Sequence, residues 1–265
     1  MRDEIHLWLA CYQEVADYAL HAEYRRLLSP AEKEQEPRFY FARDRRRYLV
    51  TRALVRTVLS RYVPSVGPDE WVFSKNAYGR PYVVNRKADG LSFNISHTHS
   101  LIVLAVTDGR VLGVDVENVR RRDGSIDIAR HFFAPREVAD LALVPADAQQ
   151  YRFFEYWTFK ESYIKARGMG LSLPLDKFSF HYPNEETVSL EIDSALEDDP
   201  GRWQFWQFRP SPEYLVAVCA ERLGPEPTLV VRRTIPMLKE EKVTPDFLRL
   251  SAESFDPAEI VLMGA

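Results

Sequence analysis

Leu101-Ile102-Val103-Leu104-Ala105-Val106-Thr107-Asp108-Gly109-Arg110-Val111-Leu112-Gly113-Val114-Asp115-Val116-Glu117 lies near the middle of the chain. Leu101 to Val106 reads as a short apolar strand, Asp108-Gly109 is a strong hairpin signal, and Val111 to Glu117 is the expected hairpin partner. The run is expected to mark the boundary between two halves. In a strand, residues two apart point the same way, so Asp115 and Glu117 project together while Val114 and Val116 face the opposite side. Such a pair suits a hard divalent cation with oxygen ligands. It is also the common pattern of polar residues on the wet face of an edge strand.

On the N-terminal side, Ile5 to Tyr12 alternates enough to be a strand. Ser29-Pro30-Ala31-Glu32 reads as a helix start with a cap, a first-turn proline and a capping-box acid, and Pro37 limits that helix. A second helix is expected from about Asp44 to Tyr62, stopped by Pro64. At about 100° per residue, Arg45, Arg52 and Arg56 share one face, read as exposed, whereas Arg47 falls on the side of Val50, Leu54 and Val58 and points inward. Asn76-Ala77-Tyr78-Gly79-Arg80-Pro81 is a turn, and Leu91 to Ile95 a short strand. On the C-terminal side, Ile126 to Leu143 looks helical, and Tyr151 to Arg167 is a long helix ended by Gly168-Met169-Gly170. Trp203 to Phe208 and Tyr214 to Ala220 read as an antiparallel pair. The expected organisation is an N-terminal half over residues 1–110 and a C-terminal half with the metal site over 111–222. Residues 223–265, richer in Pro, Lys and Glu, read as an extension of undefined order.

A chain of 265 residues with 46% hydrophobic content can bury a real core. Its 35 basic and 39 acidic residues leave a formal charge of -4, which argues against a general nucleic-acid binder and makes any anion site local. Cys11 and Cys219 form no metal-ligand spacing and no disulfide framework, and Met1-Arg2-Asp3-Glu4 is no apolar signal, so a reducing cytoplasm is expected. No apolar run approaches the roughly 20 residues of a membrane span, and no membrane association is expected.

On the helical wheel Glu161 lands between Trp157 and Phe154, within an apolar arc that also holds Phe153 and Ile164, and Lys165 lies one turn further on. Burying that carboxylate without a partner costs on the order of several kcal/mol or forces protonation, so a metal or a lysine is expected beside it. The plainer alternative is an exposed Glu161-Lys165 pair worth a few tenths of a kcal/mol. Ser96 and His97 can donate hydrogen bonds to an anion or simply line a polar loop. The His97-Thr98-His99 spacing hints at zinc, but no further Cys or His cluster supports it. Arg43 to Arg47 is either a solvated face or a phosphate clamp, and only Arg47 has the direction a clamp needs.

In combination the pieces become specific. Gly79-Arg80-Pro81, Phe93-Asn94-Ile95-Ser96-His97, Gly113-Val114-Asp115-Val116-Glu117, Phe132-Phe133 with Glu137, and Trp157-Thr158-Phe159-Lys160-Glu161-Ser162-Tyr163-Ile164-Lys165 occur in the order and spacing of the surfactin-type 4'-phosphopantetheinyl transferases. Gly168-Met169-Gly170-Leu171-Ser172-Leu173-Pro174-Leu175 continues the resemblance, which covers roughly Ile5 to Ala220.

The resemblance implies an α+β fold: a pseudo-twofold pair of similar halves, each a small antiparallel sheet with helices, with coenzyme A in the cleft between them. It implies that Asp115, Glu117 and Glu161 hold a magnesium ion on the pyrophosphate of coenzyme A. Arg80 resembles the basic residue of the family's Gly-Lys-Pro turn, with an arginine's bidentate fork in place of the commoner lysine. Ser96 and His97 match contacts to the nucleotide's phosphates, Arg47 lies where the family places basic contacts to the coenzyme, and Lys160 and Lys165 match the lysines of the helix motif. The implied reaction moves phosphopantetheine to a serine of an apo acyl, peptidyl or polyketide carrier protein, releasing adenosine 3',5'-bisphosphate. In it Lys165 serves the leaving phosphate, Asp115 the metal, and Glu161 the metal or, directly or through a water, the serine proton. An active monomer is expected. The alternative is a catalytically silent module that binds coenzyme A or a carrier, against which the intact acids argue.

Overall fold

The structure, a computed structural model, describes residues 3–120 and 126–251. In chain order they form β1 (Glu4–Cys11), α1 (Tyr18–Leu27), α2 (Pro30–Gln35), α3 (Ala42–Tyr62), β2 (Phe73–Lys75), β3 (Pro81–Val83), β4 (Leu91–His97) and β5 (Leu101–Asp108). There follow β6 (Leu112–Asn118), α4 (Ile126–Phe132), α5 (Pro135–Leu143), α6 (Gln149–Arg167), β7 (Phe178–His181), β8 (Thr187–Ile192), β9 (Trp203–Ser211) and β10 (Tyr214–Glu221). The chain continues through β11 (Thr228–Ile235), β12 (Lys239–Val243) and β13 (Asp246–Ser251). The capping box is present: Ser29 accepts from the Glu32 amide while the Glu32 carboxylate accepts from the Ser29 amide. The helix expected from Ile126 to Leu143 is two helices, broken just before Pro135, whose ring disfavours helical backbone at Ala134.

Two sheets dominate, ordered β12-β11-β1-β5-β4 and β6-β10-β9-β13-β8-β7. Strand alternation sorts the apolar residues into layers. Ile5, Leu7, Leu9, Val103 and Ala105 of the first sheet meet Val114, Val116, Phe208, Val216 and Val218 of the second in one core. The opposite face of the first sheet, through Trp8, Ala10, Ile102 and Leu104, packs on Leu49, Val50, Ala53 and Leu54 of α3. On the far face of the second sheet, Phe205, Leu215, Ala217 and Cys219 pack with Phe159 and Tyr163 of α6. Each half therefore lays one sheet between the shared core and its own long helix.

The hairpin expected at Asp108-Gly109 does not form. Gly109 adopts φ 71°, and the chain does turn there, but β5 and β6 belong to different sheets. The reason is that both edges of β5 are already taken, by β1 and β4. Buried Arg110 directs the chain to β10 instead, donating to the carbonyls of Glu221 and Leu223, and β6 pairs with β10 from Leu112 to Asn118. The two sheets still meet edge to edge, because Asn94 Oδ1 and Ser96 Oγ on β4 accept the amides of Val114 and Val116 on β6 at 3.0 and 3.4 Å. That seam carries the site.

Two other expectations change. Arg56 does not share an exposed face with Arg45; it is 1% exposed, because α2 and the segment before β2 cover that flank of α3. The residues after Leu223 are built into both sheets: β11 runs parallel to β1, and β13 pairs with β9 and β8. These strands make both sheets mixed where antiparallel ones were expected. Residues 252–265 lie outside the described residues.

Candidate active site

A cavity of about 1030 Å³ opens along the seam, and Arg47, Ser96, His97, Asp115, Glu117, Glu161 and Lys165 all line it. Local structure explains the convergence. β6 crosses α6 at Gly113, where a Cβ would lie 2.1 Å from the Ser162 carbonyl oxygen and 2.4 Å from the Ala166 nitrogen, so only glycine permits this approach. Two residues on, Asp115 meets Lys165, whose Nζ lies 2.6 Å from Asp115 Oδ1 and 2.8 Å from Ser96 Oγ. Ser96 Oγ in turn donates to Asp115 Oδ1 at 2.9 Å. The lysine thus bridges strand and helix, and the alternative Glu161-Lys165 surface pair is not the one formed.

Glu117 faces the same cavity, accepting from the Trp157 indole at 3.2 Å and from the Thr98 hydroxyl at 3.5 Å. Burial, together with the negative charge of Asp115, pushes the Glu117 carboxyl up to about 7 despite the nearby Lys165. The same two causes, in the same order, push Glu161 up to about 7. Asp115 Oδ2 is buried and accepts no hydrogen bond. One ammonium therefore serves three carboxylates, and the wall is short of positive charge. Among the described residues, however, no three His, Cys, Asp or Glu side chains are drawn together into a closed metal-binding group.

Arg47, also in the cavity lining, lies 3.3 Å from Asp44. His97 is exposed to solvent on one side, and burial of its ring together with the Arg47 charge holds its pKa below the ordinary value. Glu32, read from sequence only as a helix cap, also lies 2.7 Å from Arg56 and 3.5 Å from Arg52. Thr51, Lys75 and Trp71 line the cavity as well. Sequence reading missed them: Lys75 sits in a three-residue strand too short to show a period, and Thr51 lies between two helix faces. The Thr51 hydroxyl is buried without a partner.

Two residues assigned to the coenzyme make their contacts within the protein. Lys160 is 0% exposed, with Nζ 2.7 Å from Glu137 and from the carbonyls of Leu175 and Phe178. An ammonium has three donors, and all are committed. Its spacing from Glu161 turns it to the core side of α6, where it supports the fold. Arg80 spends its fork on the carbonyls of Ala166, at 2.7 Å, and Leu112, at 3.0 Å. There it satisfies the C-terminal turn of α6 and borders a side hollow of about 260 Å³ next to Glu161 and Lys165.

Comparison with known proteins identifies the family. Residues 111–219 match the 4'-phosphopantetheinyl transferase superfamily, and residues 17–108 match the N-terminal region of 4'-phosphopantetheinyl transferases. A 4'-phosphopantetheinyl transferase of Bacillus subtilis is 37% identical over 193 residues, covering 73% of this chain and 82% of its own length. The transferase Sfp of Bacillus subtilis strain 168 is 35% identical with the same coverage. HetI of Nostoc sp. is 31% identical over 228 residues, covering 86% of this chain and 92% of its own.

Proposed function

Since the chain belongs to the 4'-phosphopantetheinyl transferase family, we propose that it moves the phosphopantetheine group of coenzyme A to a serine of an apo carrier protein. The observation that carries this reading is the cluster of Asp115, Glu117, Glu161 and Lys165 on one wall of a cavity large enough for a nucleotide coenzyme. The serine oxygen bonds to the β-phosphorus, the bond from that phosphorus to the bridging oxygen breaks, and adenosine 3',5'-bisphosphate leaves with the electron pair. Glu161, with a pKa lifted to about 7, is suited to take the serine proton near neutral pH. Lys165 presents positive charge to the leaving phosphate, and Asp115 and Ser96 hold its ammonium in place. Arg47 and His97, which line the same cavity, are suited to face the remaining phosphate charge. Phosphoryl-type transfer is mostly positioning and charge neutralisation, which these residues can supply.

Asp115, Glu117 and Glu161 fit a magnesium ion. The unpartnered Asp115 Oδ2 and the two carboxyls whose ionisation burial and the Asp115 charge disfavour are what a hard dication would satisfy. When bound, the ion would neutralise charge on the diphosphate oxygens. The pseudo-twofold relation of residues 1–110 to 111–222 belongs to the same reading, supported by the matching placement of α3 and α6 on their sheets. So do a monomeric state and a cytoplasmic location; no helix among the described residues is long and apolar enough to cross a membrane.

The test is incubation with coenzyme A, magnesium and a panel of apo carriers, followed by intact-protein mass spectrometry. A carrier that gains the mass of one phosphopantetheine group supports the proposal. Tight coenzyme binding with no carrier modified, using well-folded protein, contradicts it.

A further inference from the structure

The segment after Leu223 lies beyond the residues 17–108 and 111–219 of the two family matches, yet it reaches the helix that carries Glu161 and Lys165. β13 pairs antiparallel with β9, and the pairing slips between Phe247 and Arg249, where Phe247 opposes Phe208 and Arg249 opposes Gln207. A bulge of this kind places an extra residue on one strand and re-aims a side chain. Phe247 meets Phe208 edge to face on the intersheet side, whereas Leu248 and Arg249, though consecutive, both turn toward α6.

Buried Arg249 donates to Glu155 Oε1 at 2.6 Å and to Gln207 Oε1 at 3.2 Å, with its guanidinium 4.2 Å from the centre of the Tyr182 ring. Gln207, fully buried, donates from the other end of its amide to the Glu155 carbonyl and to Thr158 Oγ1, both at 3.0 Å. Arg249, Gln207, Glu155 and Thr158 thus form one water-excluded polar lock between sheet and helix. Its last member is one turn before Glu161. Fixed bond directions set both the rotation and the axial position of α6, which apolar packing alone sets only loosely.

We propose that Arg249 is a positioning residue: by locking α6 onto the sheet, it fixes where Glu161 and Lys165 stand in the cleft. The inference rests on the transferase reading for its kinetic consequence, but its structural part can be tested without turnover. Misplacement by about 1 Å can cost up to roughly a hundredfold in rate, so R249M should lower kcat by about 10- to 100-fold while KM for coenzyme A changes less than about threefold.

The experiment compares wild type, R249M and the double variant E155M/R249M, by steady-state transfer to a carrier, thermal unfolding and amide hydrogen exchange. Because R249M takes one of two arginines from buried Glu155, leaving Arg152 Nε 3.2 Å from its other oxygen, it can lose stability. Replacing Arg249 and Glu155 together with apolar side chains should return stability toward wild type, since half-buried Arg152 can turn to Asp140. The expected result is that the double variant regains its melting temperature but not its kcat. Amides of residues 157–165 should also exchange at least about tenfold faster than in wild type, with those of α3 unchanged. Recovery of both stability and kcat in the double variant would reduce Arg249 to a structural contact and overturn the proposal. So would unaltered exchange along α6, a readout that needs no active enzyme. An inactive wild type would count against the transferase reading and leave the exchange result to judge Arg249.

Discussion

Asp115 and Lys160 show how differently two charged side chains a short distance apart can be used. Asp115 lends one oxygen to Lys165 and keeps the other unpartnered in a cavity wall. We expect D115A to lower transfer by at least about 100-fold while the fold survives; turnover near wild type in a folded variant contradicts the assigned role. Lys160 is a buried post, so K160M should strand Glu137 and cost about 3–5 kcal/mol in denaturant unfolding, with coenzyme affinity of the folded protein unchanged. A loss of affinity without a loss of stability would instead restore Lys160 to the coenzyme. The pH dependence follows from Glu117 and Glu161, both raised from 4.5 to about 7 by burial and then by Asp115. Between those values the folded state holds more protons than the unfolded state, so metal-free stability must fall as pH rises through that window. Urea unfolding in a chelator should show this fall, E117Q/E161Q should flatten it, and a stability that rises there would refute it. The acids were legible in the sequence because strand period and an apolar helix arc single them out. At Lys160 and Arg80 a motif gives residue type and spacing, not how many donors a neighbouring carboxylate or carbonyl has taken.

At the scale of elements, β6 against α6 decides the site. Gly113 is the contact point, and G113A must push strand and helix apart, since the added carbon would meet backbone and not a movable side chain. Overpacking of this sort costs about 1–3 kcal/mol. We expect a lower melting temperature together with a loss of transfer beyond what the unfolded fraction explains; wild-type kinetics in G113A would show that the approach does not position Asp115. Most strands and helices were readable from periodicity and caps. The errors came from neighbours: β5 could not take β6 because both of its edges were filled, and Arg56 could not be exposed because α3 has elements on more than one side. Local pattern identifies an apolar face but is blind to a second covering layer.

For the whole molecule, two mixed sheets share a core, each backed by a long helix, and the acid-lined cavity lies along the seam where β4 and β6 meet. From five short motifs the family resemblance reached the α+β class, though with antiparallel sheets. It did not reach β11 to β13, whose composition resembles a tail but whose strands edge the first sheet and fill the second. Their burial depends on partners far away in sequence, which no local pattern reveals. The central claim is that Asp115, Glu117 and Glu161 gather a divalent ion onto the diphosphate of bound coenzyme A. Phosphorus NMR of coenzyme A on the protein, with manganese titrated in place of magnesium, tests it most directly. We expect the two diphosphate resonances to broaden before the 3'-phosphate, and D115A to abolish the difference. Equal broadening of all three phosphates, or a difference that survives in D115A, would contradict it.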